Sequence, residues 1–283
     1  MTLCQGGMGM KYKIVVDSSS DLSNDYIKDS NIGFEVVPLT IRANCIDFVD
    51  NESLNVDEML NAMHASKTKS TTSCPSSEYF KKSYEEAEYV ICITISSKIS
   101  GTYNAAYLGG KDCNSKVHVV DSRTTSGGMR LIADKAYELM KQDLPFEELC
   151  NQLEEYKASL NLFFILDTFE NLVKNGRMSK ITAFVAGALY IKPLCMANDG
   201  VIDIYEKPRT MKGALNRLVE CIDKKCSDTE NRKCVITHCK NEEAANFLKE
   251  EISRKYKFKE IIIEEMRGLC SFYALEKGVL VAF

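Results

Sequence analysis

The 283-residue chain carries 36 Lys and Arg against 40 Asp and Glu, a formal net charge of −4 with a pI of about 5.6. This acidic balance disfavours a nucleic-acid-binding protein, which needs a basic face, and no apolar run reaches the roughly 20 residues of a membrane span. With 45% hydrophobic and 27% charged residues, the chain has a globular composition and enough length for two domains.

The location of the protein is predicted from its N-terminus and its cysteines. Residues 1–10 lack the basic region followed by an apolar region that marks a signal peptide. The twelve cysteines form no C-x-x-C pair, and Cys92 and Cys234 lie inside apolar strand patterns. This distribution favours reduced thiols over disulfides or a metal site. We therefore predict a cytoplasmic protein without a bound metal.

The first half of the chain shows alternating strand and helix patterns. In chain order, hydrophobic periodicity predicts a strand over 13–16, a helix over 23–29, a strand over 34–41, helices over 56–65 and 78–87, a strand over 89–95, a helix over 103–108, a strand over 116–120 and a helix over 127–142. Strands that alternate with helices are typical of a parallel α/β sheet.

The pattern changes near residue 145. From there the sequence predicts a helix over 146–158, a strand over 161–167, a helix over 179–190, a strand over 200–206, a helix over 210–225, a strand over 233–237, a helix over 242–256 and a strand over 260–265. We predict an α/β protein of two domains, an N-terminal parallel α/β sheet domain over residues 11–158 and a C-terminal α/β domain over 159–283. The groove between them is the expected ligand pocket.

Two hydroxyl-rich segments stand out in the N-terminal half. Ser96–Tyr103 follows a predicted strand and opens a helix, the position where ligands bind in open α/β sheets. Gly101 would let a ligand approach the backbone, and the N–H groups of a helix start suit an anion. Ser70–Ser77 also leads into a helix, with Pro75 near its start. Ser and Thr are also preferred helix caps, but two such segments together favour a site for a small anion.

Signatures of enzymes are scarce. The sequence has no G-x-S-x-G elbow, no phosphate loop and no kinase signature. His64, His118 and His238 have no evident partner and are interpreted as structural. Asp17 and Asp121 each end a strand before a Ser. They are interpreted as caps, while the alternative hypothesis, a phosphoryl- or acyl-transfer enzyme, would use them with the Ser segments.

A third segment, Asn175–Ser179, contains Arg177, whose guanidinium group is a planar cation. Gly176 allows a left-handed end to the preceding helix, and Arg177 stands just before an unusually apolar predicted helix rich in Ala and Gly. Arg177 can be a surface residue beside a cap, or a donor that grips a carboxylate or phosphate in a fork. Hydroxyl groups and one Arg would bind a charged head group, and the small apolar residues beside them leave room for an apolar tail. This combination indicates a fatty acid.

Eight short motifs then occur in order along the chain. They are VDSSSDL (16–22), VPL (37–39), TSCPS (72–76), SKISGTY (97–103), VDS (120–122), NGRMS (175–179), IKP (191–193) and DG (199–200). Together they resemble the DegV family of bacterial fatty-acid-binding proteins over nearly the full length of the chain. The resemblance implies a two-domain fold that holds a long-chain fatty acid between its domains without catalysing a reaction.

The resemblance also implies site residues and a partner. It assigns the ligand site to Thr72 and Ser100, with Ser73 and Thr102 as neighbours, and to Arg177 and Tyr273. The reasoning on the helix start adds Gly101 to this site. It implies no cofactor and no catalytic residue, and it implies a separate ATP-dependent acyl kinase as a candidate partner. The family usually ends in a segment close to H-x-G-P-G, whereas residues 267–283 contain neither His nor Pro. Counting back from Phe283 places Tyr273 near the position of that His.

Overall fold

The computed structural model describes residues 10–178 and 191–283. A four-stranded parallel sheet forms the centre of the N-terminal half. Its strands are β1 (Met10–Asp17), β2 (Ile32–Val37), β6 (Ala87–Thr94) and β7 (Lys116–Asp121), in the order β2-β1-β6-β7. The centres of β1 (residues 14–16) and β6 (residues 90–93) are apolar runs because both of their faces are buried, as in other parallel sheets.

A small antiparallel sheet extends from this half. It consists of β3 (Thr40–Ala43), β4 (Ile46–Val49) and β5 (Thr71–Ser73), in the order β4-β3-β5. The prediction of one strand over 34–41 is therefore wrong, because the chain leaves the first sheet at Pro38 and enters the second at Thr40. Proline has no N–H to donate and a fixed φ, which suits it to the end of a ladder.

The second half contains a six-stranded mixed sheet of order β10-β9-β8-β13-β11-β12. Its strands are β8 (Leu162–Ile165), β9 (Leu194–Asn198), β10 (Val201–Glu206), β11 (Lys233–His238), β12 (Glu260–Glu265) and β13 (Val279–Ala282). Side chains alternate between its faces. Leu162 and Phe164 point toward the four-stranded sheet, whereas Phe163 and Ile165 pack against helices on the other face.

Helices cover the sheets. They are α1 (Val56–Ala65), α2 (Ser77–Ser83), α3 (Thr102–Lys111), α4 (Gly127–Met140), α5 (Phe146–Ala158), α6 (Glu170–Lys174), α7 (Met211–Lys225), α8 (Glu242–Lys255) and α9 (Gly268–Ala274). Helix α4 contacts β1 and β6 on one side and β11 and β13 on the other, so it lies between the sheets. The predicted two-domain α/β fold is confirmed. Among the described helices, none combines the length and apolar character needed to cross a membrane.

Two helix predictions need correction. Residues 23–29 are not helical, because the Asn24 side chain accepts from the Val36 N–H at 2.8 Å and so competes with helical bonding. The helix predicted over 78–87 ends at Ser83, and Glu86 then adopts a left-handed conformation with φ 71° before β6 begins. The helix predicted over 179–190 lies outside the described residues.

Helix α9 was not predicted from the sequence, because its seven residues are too few for a clear period. Two carboxylates from the N-terminal half bind its first turn. Asp50 accepts from the N–H groups of Gly268 and Leu269 at 3.0 and 2.9 Å, and Asp21 accepts from Arg267 N–H at 2.7 Å. These bonds satisfy N–H groups that a helix start leaves without partners, and they fix α9 against the N-terminal half.

Candidate functional site

A cavity lies between the four-stranded and six-stranded sheets. The space inside its lining, including the open mouth, is about 850 Å³. Most of its wall is apolar and includes Leu39, Leu162, Phe164, Leu166, Leu172 and Leu280. The polar side chains in the wall include Thr72, Ser100, Thr125, Arg177 and Tyr273. An elongated apolar ligand with one polar end fits such a lining.

Two hydroxyl groups from distant parts of the chain meet in this wall. Thr72 lies on β5, where it pairs with Ile41 of β3, and Tyr273 lies on α9. Their side-chain oxygens are 2.9 Å apart. The Tyr273 ring packs edge-on against Phe272, with ring centroids 4.7 Å apart. Strand pairing on one side and the anchored helix on the other therefore hold the hydroxyl pair in place.

The second hydroxyl segment supplies Ser100. Its Oγ lies 2.8 Å from Oγ1 of Thr102 and accepts a longer bond of 3.3 Å from the Thr102 N–H. Thr102 is fully buried at the start of α3, whose N-cap is Gly101. Ser100 is half-buried and lines the cavity. The buried Thr102 therefore holds the Ser100 hydroxyl at the cavity wall.

Arg177 is bound to the same loop. Its Nε donates to the carbonyl of Ile99 at 3.2 Å, and its Nη1 donates to the carbonyl of Asn175. The Asn175 amide in turn donates to the carbonyl of Ser70 at 3.3 Å. Gly176 has a φ of 72°, the left-handed conformation that the sequence predicts. The arginine segment thus contacts both hydroxyl-rich segments through their backbones.

The seven residues proposed from the sequence fall into two groups. Thr72, Ser100, Arg177 and Tyr273 line the cavity. The other three are their sequence neighbours: Ser73 is exposed, Gly101 caps α3 and Thr102 is buried.

Sequence reasoning did not identify Thr125 or Cys270, which also line the cavity. The Thr125 Oγ1 lies 3.5 Å from the Cys270 Sγ, and each group donates to the carbonyl of Ser19. Thr125 follows β7 just as Ser100 follows β6, so its place at the same edge of the sheet was an available signal. The position of Cys270 depends on α9 and had no signal in the sequence.

The two strand-end aspartates bind backbone. Asp17 is fully buried and accepts from the N–H groups of Ser19 at 2.9 Å and Ile95 at 2.7 Å. Burial raises its pKa to about 6. Asp121 accepts from the N–H and Oγ of Ser97. These bonds fix the loop that carries Ser100. Asp17 also caps the short 3-10 helix Ser18–Ser20, whereas the prediction that Asp121 caps the next helix is wrong, because the N-cap of α4 is Ser126.

In the part of the chain that the structure describes, each histidine has its own separate partner, and the metal-ligating residue types do not cluster. His64 pairs with Glu276 at 2.8 Å and His118 with Glu154 at 3.1 Å, and His238 Nδ1 accepts from a backbone N–H at 3.2 Å. Over residues 10–178 and 191–283, no group of three or more His, Cys, Asp or Glu is arranged to hold a metal ion.

The sequence and the fold both match known proteins. The family model described as an uncharacterised protein of the DegV family matches residues 11–282. A DegV domain-containing protein of Streptococcus pyogenes serotype M1 is 35% identical over 280 residues, which cover 97% of this chain and 99% of the relative.

Solved structures extend the match. A DegV family protein from Ruminococcus gnavus, refined with vaccenic acid, has a TM-score of 0.90 at 32% identity and covers 97% of this chain and 100% of its own. The Streptococcus pneumoniae fatty acid kinase (Fak) B3 protein, loaded with linoleic acid, also has a TM-score of 0.90 at 32% identity, with 97% and 99% covered. Sequence, fold and motifs agree, and the chain belongs to the DegV family.

Proposed function

We propose that this protein binds one long-chain fatty acid and catalyses no reaction on it. The observation that carries the proposal is the hydroxyl pair of Thr72 and Tyr273 in a wall that is otherwise largely apolar. The relatives from Ruminococcus gnavus and Streptococcus pneumoniae are described with vaccenic and linoleic acid. The ligand class therefore follows from both the chemistry of the cavity and the ligands of similar proteins.

The carboxylate lies at the hydroxyl pair and at Ser100. Two hydroxyl groups carry two hydrogens, and the bond between Thr72 and Tyr273 uses one of them, so the second can be donated to a ligand oxygen. A carboxylate that leaves water needs such donors, because an unpaired buried charge is costly. Arg177 adds positive charge beside the same loop. The ligand-binding residues in this proposal are Thr72, Ser73, Ser100, Gly101, Thr102, Arg177 and Tyr273.

The acyl tail lies along the apolar wall of the six-stranded sheet. Leu162 and Phe164 of β8 and Leu280 of β13 face the cavity, and Leu280 pairs with Phe164 across the ladder. Burial of apolar surface contributes about 0.8 kcal/mol per methylene, so the tail supplies most of the affinity and the hydroxyls set the orientation.

A partner, a domain division and a location complete the proposal. The relative from Streptococcus pneumoniae is named for a fatty acid kinase, so a separate acyl kinase is the partner proposed here.

The domains are 11–158 and 159–283, supported by the end of α5 at Ala158 and the start of the six-stranded sheet at Leu162. The eleven cysteines of the described residues are all free, which supports a cytoplasmic location.

Mass spectrometry of the protein under denaturing conditions tests the proposal. Protein purified without added lipid is expected to release one fatty acid per chain, and native spectra should show the matching mass. An empty protein that hydrolyses ATP or an acyl ester unaided would contradict it and would favour the transfer-enzyme alternative.

A further inference from the structure

The short helix α9 supplies several of the residues that line the cavity. They are Leu269, Cys270, Tyr273 and Ala274, and their spacing places them along one side of the helix. A helix of seven residues is too short to form in water by itself. The position of the Tyr273 hydroxyl therefore depends on the contacts that hold α9 in place.

The side chain of Asp50 holds the first turn of α9. One carboxylate oxygen accepts from the Gly268 N–H at 3.0 Å, and the other accepts from the Leu269 N–H at 2.9 Å. Asp50 is only 1% exposed, and hydrogen bonds to a carboxylate are stronger than those between neutral groups. Because each oxygen binds a different N–H group, the carboxylate fixes both the distance and the rotation of this turn.

Gly268 leaves the space in which these bonds form. A Cβ at this position would lie 2.5 Å from Oδ1 of Asp50 and 2.3 Å from Cδ2 of Leu54. Both distances are too short for a real contact, so a side chain on residue 268 would push the first turn of α9 away from the carboxylate. The contact between Asp50 and α9 is therefore so close that a single methyl group would disturb it.

Asp50 and Thr72 are attached to the same small sheet. Its central strand β3 pairs with β4 on one side and with β5 on the other. Asp50 directly follows β4, and its backbone N–H donates to the carbonyl of Leu39 at 2.9 Å, next to the start of β3. Thr72 lies within β5. The sheet therefore places the Thr72 hydroxyl directly and the Tyr273 hydroxyl through Asp50 and α9.

We infer that Asp50 is a positioning residue for the hydroxyl pair: by holding α9 it keeps the Tyr273 hydroxyl beside Thr72 and so raises the affinity for the fatty-acid carboxylate. The inference rests on the proposed function. Asp50 is not among the residues that line the cavity, so it acts through Tyr273 and not by contact with the ligand. A direct electrostatic effect would have the opposite sign, because the negative charge of Asp50 repels a carboxylate.

A double-mutant cycle of Asp50→Asn and Tyr273→Phe tests the inference. The amide keeps the shape of the side chain but replaces an accepting oxygen by a group that only donates. With vaccenic acid as the probe, Asp50→Asn should lower the affinity roughly tenfold, as expected for the loss of one hydrogen bond to a charged group. In the Tyr273→Phe background it should have no further effect, because the hydroxyl that it positions is absent. A purely structural role would lower the affinity by the same factor in both backgrounds.

Asp121→Asn is the matched control. Asp121 accepts from the Ser97 N–H at 2.9 Å and so supports the loop before α3 rather than α9. Its effect on affinity should be the same with and without the Tyr273 hydroxyl. Gly268→Ala disturbs the same contact from the other side and should reproduce the behaviour of Asp50→Asn, including where that variant does not fold. Titration calorimetry measures each affinity, and thermal unfolding shows that each variant is folded at the temperature of the titration.

The outcomes separate the inference from the proposed function. Tighter binding by Asp50→Asn would indicate a direct electrostatic effect and overturn the inference, as would an equal loss in both backgrounds. A Tyr273→Phe variant with the affinity of the parent protein would also overturn it and would leave lipid binding itself intact. A parent protein that binds no fatty acid would refute the proposed function, and the inference with it.

Discussion

The side-chain oxygens of Thr72 and Tyr273 lie 2.9 Å apart, although the residues are 201 positions apart in the chain. Thr72 is placed by the pairing of β5 with β3, and Tyr273 by a helix whose start is bound to Asp21 and Asp50. Neither residue can move without disturbing an element of the N-terminal half. The fold therefore fixes the relative positions of the two hydroxyl groups.

Removal of either hydroxyl should weaken lipid binding. Thr72→Val and Tyr273→Phe each remove one donor from a charged acceptor, a loss of about 1.5–3 kcal/mol. Because the two groups touch, the double variant should lose less than the sum of the single losses. Titration calorimetry with the bound acid measures all three affinities. Affinities equal to that of the parent protein would place the carboxylate elsewhere.

Comparison of Ser100→Ala with Ser76→Ala should distinguish a serine that binds the ligand from a serine that caps a helix. Ser76 caps α2 by accepting from the Tyr79 N–H at 3.2 Å, so its loss should cost about 1 kcal/mol of stability and leave affinity unchanged. Ser100→Ala should instead lower the affinity with little change in stability. Urea denaturation and lipid titration of both variants distinguish the roles. A Ser100 variant that loses only stability would be a capping residue.

Tyr273→His should introduce a pH dependence into binding. An imidazole titrates between roughly pH 5 and 8, and its protonated form attracts a carboxylate. The affinity of the variant should therefore rise as the pH falls through this range, while the parent protein shows no such step. Phosphorylation of the bound acid by an acyl kinase of the family should also rise in the variant. A parent protein with the same pH step would indicate another titrating group.

Two glycines with positive φ should differ in their tolerance of alanine. A Cβ at Gly176 meets nothing within 4 Å, whereas a Cβ at Gly200 meets the Ser96 Oγ at 2.4 Å. Gly176→Ala should therefore cost only the backbone strain, about 1–2 kcal/mol. Gly200→Ala should cost more and should also weaken the bond between Ser96 and the hairpin formed by β9 and β10. Thermal unfolding of both variants measures the difference, and equal losses would contradict the close approach.

Asp21 should make the protein less stable as the pH rises. Burial raises its pKa from 3.8 to about 7, against the opposing effect of its hydrogen bonds. The folded state then holds this proton more tightly than the unfolded state, so the contribution of Asp21 to stability is full below the unfolded pKa and is lost as the pH rises to about 7. The rise corresponds to about 4 kcal/mol.

Asp21→Asn removes this titration. Between pH 5 and 7 the free energy of unfolding should fall less in the variant than in the parent protein, as measured by urea denaturation. Asp29→Asn is the control, because hydrogen bonds from Asn31 and Tyr137 lower the pKa of that group and its contribution is constant over this range. Parallel curves for the parent protein and Asp21→Asn would contradict the prediction.

The sequence predicts the elements that are locally encoded. Residues 14–16 of β1 and 90–93 of β6 are apolar runs because both faces are buried. Helix α7 lies within the predicted range 210–225, with Thr210 as its N-cap. Ser100 was identified because it lies in the hydroxyl-rich loop that follows β6. In contrast, β5 is only three polar residues long, and its strand character comes from pairing with β3, which lies 30 residues earlier.

The remaining parts of the site depend on contacts that no local pattern encodes. Tyr273 was identified only by its place in the family pattern, since α9 gives no period of its own. The support that Asn175 gives to Arg177 through the Ser70 carbonyl depends on how the two halves meet. The position of the hairpin between β9 and β10 likewise depends on the bond from Ser96 to the Gly200 carbonyl, about a hundred residues away in the chain.

The contacts that hold the two sheets together differ in strength between the two sides of the cavity. Near β11 and β12, helix α4 is packed between the sheets and Arg130 pairs with Glu264 in a largely buried position. At the β10 side, the hairpin is held by the Ser96–Gly200 bond and an exposed ion pair beside it, and exposed pairs contribute only about 0–1 kcal/mol. Thermal motion should therefore separate the two sheets at the β10 side before it separates them at α4.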